Sequence, residues 1–258
     1  MSERTICIGD IHGCVEEFRD LVGEIQYDPS RDRLILLGDL FDRGPDPIGA
    51  VHLAQDLKAE VVQSNHDEKH VRYFKWVDKI KTGKHHGKNP VQLSADRIAV
   101  NDQLTDLDKA WLAGLPYTIR FKIGQRDWIA VHAGFVPGVP LEKQDPKKVI
   151  RTTMIDRSTG RMLSLNEMSD SQYDPIDWIA TWKGPQSVVY GHHVYDLTGT
   201  LTVLARPDLD YTTIGTDTGC CFGGYLSAVV WKNDSSKLFP EHHKVKAREK
   251  YAERMGLT

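Results

Sequence analysis

The stretch TICIGDIHG, residues 5–13, joins a run of apolar residues to a short polar turn. The run Thr5–Ile8 is apolar or β-branched throughout, which is typical of a short buried strand. Asp10 and His12 follow directly, so the end of the strand carries a carboxylate and an imidazole. Both groups bind divalent metals in proteins. The stretch therefore predicts a buried strand with candidate metal ligands at its carboxyl end.

The same arrangement recurs four times along the chain. The apolar runs are Leu34–Leu37, Val61–Val62, Trp128–Val131 and Ser187–Tyr190. The polar motifs that follow them are GDLFDRG at 38–44, NHD at 65–67, VHAG at 131–134 and GHH at 191–193. In an open α/β sheet the carboxyl ends of the strands form the crevice where ligands bind. We therefore expect these motifs to meet in one site.

The residue types at these strand ends narrow the choice of metal. They offer carboxylate, imidazole and amide oxygen without any thiolate, a mixture that suits Mn²⁺, Fe or Zn²⁺ better than Ca²⁺ or Mg²⁺. A single catalytic metal rarely takes six protein ligands while keeping positions open, whereas two metals that share a carboxylate use them readily. We expect Asp39 to be the shared ligand. The six candidates are Asp10, His12, Asp39, Asn65, His132 and His192.

The order of the motifs resembles that of the calcineurin-like metallophosphoesterase superfamily, and most closely its phosphoprotein-phosphatase type. The matching motifs run from Gly9 to about Gly224, which is most of the chain. The segment Ile214–Gly224 is similar to a block of bacterial symmetrical diadenosine tetraphosphate hydrolases and of the phosphatase module of bacterial polynucleotide kinase-phosphatases. The run Asn65–Arg72 looks most like the latter. The resemblance implies the α/β class and a four-layer α/β/β/α sandwich with a helical cap insert.

The resemblance also implies how the ligands divide between two metals. The first metal would be held by Asp10, His12 and Asp39, and the second by Asp39, Asn65, His132 and His192. A hydroxide between the ions would be the nucleophile, because two metals about 3.5 to 4 Å apart lower the pKa of bound water and clamp the phosphoryl oxygens. The expected cofactor is a pair of divalent ions, with Mn²⁺ favoured and Fe, Zn²⁺ or Ni²⁺ as alternatives.

Other motif residues resemble catalytic residues of the family. His66 would donate a proton to the leaving group, a role that contributes about 10² to 10⁴ in rate, and Asp42 would orient it. Arg43 would bind phosphate, because its planar guanidinium can grip two oxygens at once. Asp217 would tune a ligand or orient water.

A second arginine commonly assists phosphate binding in this superfamily. Arg151, Arg157 and Arg161 are the possibilities here, and they lie in a polar insert that matches the family poorly. We take Arg151 as the candidate for substrate binding. The remaining histidines lack matched motif neighbours and are predicted to lie at the surface. They are His52, His70, His85, His86, His242 and His243.

Two positions depart from the family pattern. Ser64 precedes Asn65 where glycine is usual, and glycine there would permit an unusual φ or a close backbone approach. His193 follows His192 where the matching subgroup usually has threonine. His193 could be an additional metal ligand, a residue that supports the ligands, or a solvent-facing side chain.

Each motif also has a purely structural interpretation. Asp10 could cap a helix that covers residues 15–22, and residues 65–67 could cap a helix beginning near Glu68. The segment at 38–44 could be a charged turn with a surface ion pair. Taken singly these interpretations are plausible, but together they would have to place the right residue types after successive strands in the family's order.

The chain is predicted to form one metallophosphoesterase domain over residues 1–240, followed by a polar tail at 241–258. Helical patterns, notably over 96–113, indicate a cap insert at about 68–127. Residues 142–174 read as an irregular insert with a turn at Ser158–Gly160. In the tail, residues 244–255 could form an exposed helix. We expect the two inserts to determine substrate choice.

Composition is consistent with a soluble enzyme located in the cytoplasm. No apolar run approaches the ~20 residues needed to cross a bilayer, and only three residues separate Met1 from the first strand, which leaves no room for a signal peptide. The four cysteines show no CxxC spacing, so reduced thiols are expected. The formal net charge of −3 argues against an obligate non-specific DNA binder.

The sequence therefore predicts a dimetal-dependent phosphohydrolase that cleaves a phosphate monoester or a nucleoside polyphosphate. The resemblances at Asp217 and at 68–72 favour nucleotide or polynucleotide phosphates as substrates. The alternatives are a serine/threonine phosphoprotein phosphatase, a phosphodiesterase or nuclease, and a non-catalytic metal-binding scaffold. No membrane association and no obligate protein partner are expected.

Overall fold

The computed structural model describes residues 2–206, 210–237 and 239–254. The strands are β1 Arg4–Ile8, β2 Asp32–Leu36, β3 Glu60–Val61, β4 Thr118–Ile123, β5 Arg126–Val131, β6 Met154–Asp156, β7 Pro175–Asp177, β8 Ser187–Tyr190, β9 Thr202–Arg206, β10 Tyr211–Gly215, β11 Asp217–Thr218, β12 Tyr225–Lys232 and β13 Glu241–Lys246. The α-helices are α1 Val15–Ile25, α2 Pro47–Asp56, α3 Asn65–Lys81, α4 Ala95–Gln103, α5 Asp106–Ala113, α6 Pro146–Val149, α7 Leu165–Met168 and α8 Trp178–Thr181.

Two large sheets carry the fold. In the first, β1, β2 and β3 run parallel, and β12 pairs antiparallel with β1 and also with β11 and β13. The second has the order β4-β5-β8-β10-β9, with parallel pairing from β5 through β8 to β10. Each sheet therefore contains three adjacent parallel strands, β1-β2-β3 in the first and β5-β8-β10 in the second, and the carboxyl ends of parallel strands share an edge.

The alternation of side chains along the strands accounts for the layers, because successive residues of a strand point to opposite faces. Cys7 and Ile35 of the first sheet pack with Trp128, Val189 and other residues of the second, which fills the space between the sheets. Their neighbours on the opposite faces pack against helices. Ile6 and Leu34 contact the core formed with α1 and α2, while Ile129 and Val188 contact the core formed with α6 and α8.

This arrangement is the predicted four-layer α/β/β/α sandwich. Between the sheets, Phe121, Trp128 and Trp231 lie with ring centroids 4.7 to 6.0 Å apart. Aromatic pairs of this kind contribute about 0.5–1.5 kcal/mol each beyond the burial of their area. The strands predicted at 5–8, 34–37, 61–62, 128–131 and 187–190 correspond to β1, β2, β3, β5 and β8.

The starts of helices α1 and α3 test whether Asp10 and residues 65–67 serve only as helix caps. Helix α1 begins after Cys14 without any side-chain cap, so Asp10 does not cap it. Helix α3 begins at Asn65, and its cap is the hydroxyl of Ser64, which accepts from the Asp67 amide at 3.1 Å. Ser64 has φ −122° and is fully buried, an extended conformation that needs no glycine.

The predicted inserts differ from the structure at their edges. Helices α3, α4 and α5 supply the expected helical segment, which a capping box at Thr105 divides within 96–113. The predicted cap limit at residue 127 is too late, because β4 and the start of β5 already belong to the second sheet. The insert at 142–174 is not irregular, since it contains α6, β6 and α7. Strand β6 pairs antiparallel with β7, which lies just after the insert, and the predicted turn at 158–160 lies between them.

The prediction for the C-terminal segment is wrong in part. Glu241–Lys246 form β13, which pairs with Tyr225–Val230 of β12, so this segment completes the first sheet and is not a detached tail. The described residues after β13 contain no helix. Val245 alternates with exposed charged residues and packs against the core, which explains the strand. Met255, the last residue of the proposed helix, lies outside the described residues.

Candidate functional site

The loops that follow β1, β2, β3, β5 and β8 bring most of the predicted ligands together. One group of metal-ligating side chains contains His12, Asp39 and His66, and a second contains Asp39, His132 and His192. Within each group all ligand atoms lie within 4.8 Å of one another. Asp39 belongs to both groups, as expected for a carboxylate shared between two metals.

Backbone strain is concentrated in the same loops. Eight non-glycine residues among those described have positive φ, a region that such residues rarely adopt. Five of the eight are predicted site residues, namely His12 (φ 48°), Asp39 (φ 49°), Asp42 (φ 70°), Arg43 (φ 71°) and His192 (φ 69°). Strained conformations cost about 1–3 kcal/mol each and cluster where function requires a fixed geometry. The charged-turn interpretation of residues 38–44 accounts for none of this.

Asp39 lies between two imidazoles and is 1% exposed. Its Oδ2 is 3.2 Å from Nε2 of His12, and its Oδ1 is 3.4 Å from Nε2 of His132. The two carboxylate oxygens thus face different histidines. This is the geometry that allows one carboxylate to bridge two ions.

Backbone carbonyls fix which nitrogen of each ring faces Asp39. The Nδ1 of His12 lies 2.8 Å from the Phe41 carbonyl oxygen, and the Nδ1 of His132 lies 2.7 Å from that of Leu37. A ring nitrogen in this position donates its proton to the carbonyl, so Nε2 is left as a lone pair. Both Nε2 atoms are therefore presented in the form that binds a metal.

Further acceptors converge on His132. Its Nε2 is 2.8 Å from Oδ1 of Asn65 and 3.1 Å from Nδ1 of His192. Burial lowers the pKa of His132, and burial together with the nearby His132 holds the pKa of His192 well below its ordinary value. Neutral imidazoles and an amide oxygen around one point form an acceptor set that a divalent cation satisfies.

Asp10 and Asp217 place two further buried carboxylates near Asp39. Burial and the charges of Asp217 and Asp39 raise the pKa of Asp10 well above its ordinary value. Both oxygens of Asp10 lie 3.0 Å from the backbone amide of His192, a contact for which Gly191 must lack a side chain, since a Cβ there would stand 2.0 Å from Asp10 Oδ1. Burial likewise raises the pKa of Asp217, whose Oδ1 accepts from the Gly219 amide at 3.1 Å. Such a cluster is stabilised by bound cations.

Arg43 points into this cluster. Its Nη1 lies 2.6 Å from Nε2 of His12, and its guanidinium carbon lies 5.0 Å from the centroid of the Phe222 ring. The aromatic face supports the side chain from behind. The guanidinium is thereby held beside the predicted metal ligand His12.

His66 and Asp42 form a close pair beside the metal ligands. Nδ1 of His66 is 2.5 Å from Oδ2 of Asp42, and the His66 ring lies edge-on to that of His12 with centroids 5.0 Å apart. Burial alone would raise the pKa of Asp42, but hydrogen bonds from His66, His70 and Arg97 lower it far below its ordinary value. Asp42 is therefore a permanent carboxylate.

The prediction that His70 lies at the surface is wrong, since His70 is 1% exposed. Asn101 donates to its Nδ1 at 2.8 Å, so its Nε2 carries the proton and donates to Oδ1 of Asp42 at 2.9 Å. The signal was available in the sequence, because residues four apart on a helix share a face and His70 follows His66 by four positions.

Arg97 was also missed. Its Nε donates to Oδ1 of Asp42 at 2.6 Å and its Nη2 donates to Oδ2. Arg97 lies on α4, and no motif in the sequence near residue 97 predicts a contact with Asp42. Together, His70 and Arg97 hold the carboxylate that holds His66.

Asp67, the third residue of the NHD motif, has a structural task. It is fully buried and accepts from the Phe41 amide at 3.1 Å and from the Leu40 amide at 3.3 Å. Burial and the charge of Asp39 raise its pKa to about 7. Asp67 thus ties the start of α3 to the strained loop that carries Asp39 and Asp42.

The three candidate arginines occupy different surroundings. Arg151 pairs with Glu68 at 2.9 Å, one turn along α3 from Asn65, and Arg72 pairs with the same carboxylate at 2.7 Å. Arg157 pairs with Asp174 and Arg161 with Glu167, both within the insert. Among these three, Arg151 is the residue whose ion pair reaches the helix that begins with Asn65 and His66.

His193 does not join the ligand groups found among the described residues. Its ring packs edge-on against Tyr195 with centroids 4.4 Å apart. This position does not favour the additional-ligand role on which the phosphodiesterase alternative depended.

Comparison with known proteins bears on the same site. The sequence pattern of the calcineurin-like phosphoesterases matches residues 3–218, which include every predicted metal ligand. The chain belongs to the calcineurin-like phosphoesterase family. This family is dimetal-dependent, in agreement with the two groups of ligands that share Asp39. The phosphoesterase is therefore a hydrolase.

Relatives of this phosphoesterase include enzymes described as asymmetrical bis(5′-nucleosyl)-tetraphosphatases. That of Halalkalibacterium halodurans is 27% identical over 246 residues, covering 86% of this chain and 87% of the relative. That of Anoxybacillus flavithermus is 29% identical over 237 residues, covering 86% and 88%. A crystal structure described as a candidate diadenosine tetraphosphatase superposes with a TM-score of 0.71 at 27% identity, covering 96% of this chain and 95% of that one.

The relatives found bear on the predicted subgroup. The sequence resemblance named symmetrical hydrolases, whereas the two relatives above carry the description asymmetrical.

In the part of the chain that the structure describes, no helix is long and apolar enough to cross a membrane.

Proposed function

We propose that this phosphoesterase hydrolyses dinucleoside polyphosphates, and that it attacks an end phosphate of the chain so that the products are unequal. The observation that carries the phosphohydrolase chemistry is the placement of Asp39, whose two oxygens face His12 and His132. The substrate class is supported by the tetraphosphatases that the chain resembles.

The proposed ligands are those expected from the sequence. Asp10, His12 and Asp39 would hold one ion, and Asp39, Asn65, His132 and His192 would hold the other. When bound, two divalent ions supply an activated water and bind the phosphoryl oxygens. The nitrogen and oxygen donors fit Mn²⁺, our proposed metal, and are compatible with Fe, Zn²⁺ or Ni²⁺.

His66 is the proposed general acid. Its Nδ1 donates to Asp42 at 2.5 Å, so its Nε2 is free to carry a second proton to the leaving phosphate oxygen. The permanent negative charge of Asp42 stabilises the imidazolium before transfer, in the way that an orienting carboxylate supports a catalytic histidine. His70 and Arg97 prevent Asp42 from turning away.

Two arginines are proposed to bind phosphate. Arg43 lies beside His12 and would bind the phosphoryl group under attack. Arg151, which is 33% exposed and paired with Glu68, would bind a more distant phosphate of the chain by exchanging partners. Asp217 would position Asp10 and water through its charge. We place the enzyme in the cytoplasm, without an obligate protein partner.

The test is hydrolysis of diadenosine tetraphosphate by protein loaded with Mn²⁺, with products separated by ion-exchange chromatography. We expect equal amounts of AMP and ATP, with a rate above those on a phosphopeptide and on a 3′-phosphorylated oligonucleotide. Asp39→Asn and His66→Asn serve as inactive controls. Two molecules of ADP would contradict the asymmetric attack, and a faster phosphopeptide reaction would make the enzyme a phosphoprotein phosphatase.

A further inference from the structure

A third group of metal-ligating side chains lies apart from Asp39. It consists of Sγ of Cys14, a carboxylate oxygen of Glu17 and Sγ of Cys220, and these atoms all lie within 4.8 Å of one another. Cys14 precedes α1, Glu17 is in its first turn, and Cys220 begins the short 3-10 turn Cys220–Phe222. Cys14 and Glu17 are fully buried and Cys220 is 2% exposed.

Glu17 is incompletely satisfied. Its Oε1 accepts from the Arg248 amide and from the Tyr251 hydroxyl, each at 2.8 Å. Its Oε2 is buried and has no hydrogen-bond partner. An unpaired buried acceptor destabilises the fold, and does so more strongly when it is charged. The carboxylate therefore has a free oxygen in a place that water does not reach.

Neither thiol donates a hydrogen bond to the free oxygen of Glu17, and the surroundings of the thiols make them unreactive. A hydrogen bond with Cys14, burial, and the charges of Cys14 and Glu17 hold the pKa of Cys220 far above its ordinary value. Cys221, the next residue, adds a third sulfur close enough to contribute to the same effect. Thiols in such surroundings are poor nucleophiles and react slowly with oxidants. This argues against a catalytic or redox role for the cluster.

We propose that Cys14, Glu17 and Cys220 supply three ligands of a structural site for one thiolate-preferring divalent cation, with Zn²⁺ the best fit. In tetrahedral zinc sites the metal–sulfur bonds are about 2.3 Å, which places two sulfurs about 3.8 Å apart. The two sulfurs already lie within 4.8 Å of each other, so they would have to approach by at most about 1 Å. Binding converts the two thiols to thiolates and releases their two protons. The cation also satisfies the free oxygen of Glu17.

The site differs from the active site in its donors. The active-site ligands are nitrogen and oxygen atoms, which suit Mn²⁺, whereas thiolates select softer ions. A cation bound to Cys14, Glu17 and Cys220 would have a structural effect on the active site. Cys14 follows the loop of Asp10 and His12, and Cys220 follows Asp217. Glu17 connects both to the C-terminal segment at Arg248 and Tyr251. One ion would fix three segments around the active site.

The test is cobalt substitution of the full chain, produced in medium with Co²⁺ as the supplied metal. Thiolate bound to Co²⁺ gives a near-ultraviolet charge-transfer band that nitrogen and oxygen ligands do not give. We expect this band, together with one metal equivalent per chain that a mild chelator does not remove. The band must persist in Asp39→Asn, which disturbs the active site only, so the result is independent of the proposed hydrolase function.

The matched variants are Cys220→Ser and Cys7→Ser. Cys7 is equally buried but lies between the two sheets. We expect Cys220→Ser to lose the band and the retained metal equivalent, and Cys7→Ser to keep both. If Cys220→Ser does not fold, X-ray absorption on the wild-type protein decides the question, because sulfur at about 2.3 Å from the metal is the expected signal. Absence of metal–sulfur scattering, a band that survives in Cys220→Ser, or a disulfide between Cys14 and Cys220 would overturn the proposal.

Discussion

The floor and the rim of the active site are held together in opposite ways. On the floor, Asp10, Asp39 and His132 are at most 3% exposed and are oriented by backbone groups or by each other. On the proposed rim, Arg72 and Arg151 meet at the buried carboxylate of Glu68 with side chains that are 47% and 33% exposed. Because the two guanidinium groups are partly exposed and share one carboxylate, Glu68 keeps a partner when either arginine leaves, and solvent weakens each ion pair. The floor is therefore set before substrate arrives, and the rim is free to respond to it.

This difference suggests a division of labour. A rigid floor with unbalanced negative charge suits the reaction at phosphorus, which is common to all candidate substrates. An adaptable rim suits recognition of whatever is attached to that phosphorus. Substitutions on the floor should thus lower turnover on every substrate, whereas substitutions on the rim should change the preference among substrates.

The largest effect is expected for Asp39→Asn. The amide removes one charged oxygen from between His12 and His132, so metal-dependent charge stabilisation worth several kcal/mol is lost, which corresponds to about 10³-fold in kcat/KM. The measurement is the Mn²⁺-dependent hydrolysis of both p-nitrophenyl phosphate and diadenosine tetraphosphate, with circular dichroism to verify folding. Near-normal turnover on either substrate would mean that Asp39 is not required for the reaction at phosphorus, which contradicts the role assigned to the floor.

His66→Asn should lower kcat by about 10² to 10⁴, the usual contribution of a positioned acid. Metal content should stay at the wild-type level, because His66 is proposed to act on the leaving group and not on the ions. Kinetics and metal analysis on the same preparation check both statements. Loss of metal together with activity would instead place His66 among the ligands, a possibility that its proximity to His12 and Asp39 makes worth testing.

His70→Leu tests the support behind the acid. Leucine has no hydrogen-bond donor, so the variant loses the orienting bond to Asp42, and we expect kcat to fall about tenfold with KM unchanged, as for partners that orient a functional group from behind. His86→Leu, an exposed position beyond the end of α3, is the matched control and should behave as wild type. An equal loss in both variants would mean that the contact of His70 with Asp42 has no special importance.

The smallest effect is expected on the rim. Arg151→Ala should raise KM for diadenosine tetraphosphate about fivefold, equivalent to about 1 kcal/mol for a partly exposed charge contact. The KM for p-nitrophenyl phosphate should not change, since that ester has no second phosphate. Arg157→Ala, whose partner lies within the insert, is the control. A uniform fall in kcat on both substrates would mean that Arg151 acts in the chemical step and not in recognition of the second phosphate.

The floor could be foreseen from the sequence because its signals are local. Each ligand follows a short apolar run, and the ends of parallel strands meet by the geometry of the sheet. The opposite orientations of Ile6 and Cys7, and of Leu34 and Ile35, could likewise be predicted, because successive side chains of a strand point to opposite faces of the sheet. These regularities required no knowledge of contacts between distant residues.

The support network and the sheet edge could not be foreseen in the same way. Arg97 reaches Asp42 only because α4 packs beside α3, a tertiary contact with no local signal. β13 carries charged residues on its exposed side, so its sequence resembles a solvated tail until its pairing with β12 is known. His70 is the intermediate case, since its helical spacing from His66 was visible but its burial was not.

The most direct test of the shared Asp39 carboxylate is electron paramagnetic resonance of metal-stripped protein titrated with Mn²⁺. We predict that two ions bind per chain and that their spectrum is that of a magnetically coupled pair, with the coupling lost or weakened in Asp39→Asn. Two independent Mn²⁺ signals, or saturation at one ion per chain in that titration, would contradict the account.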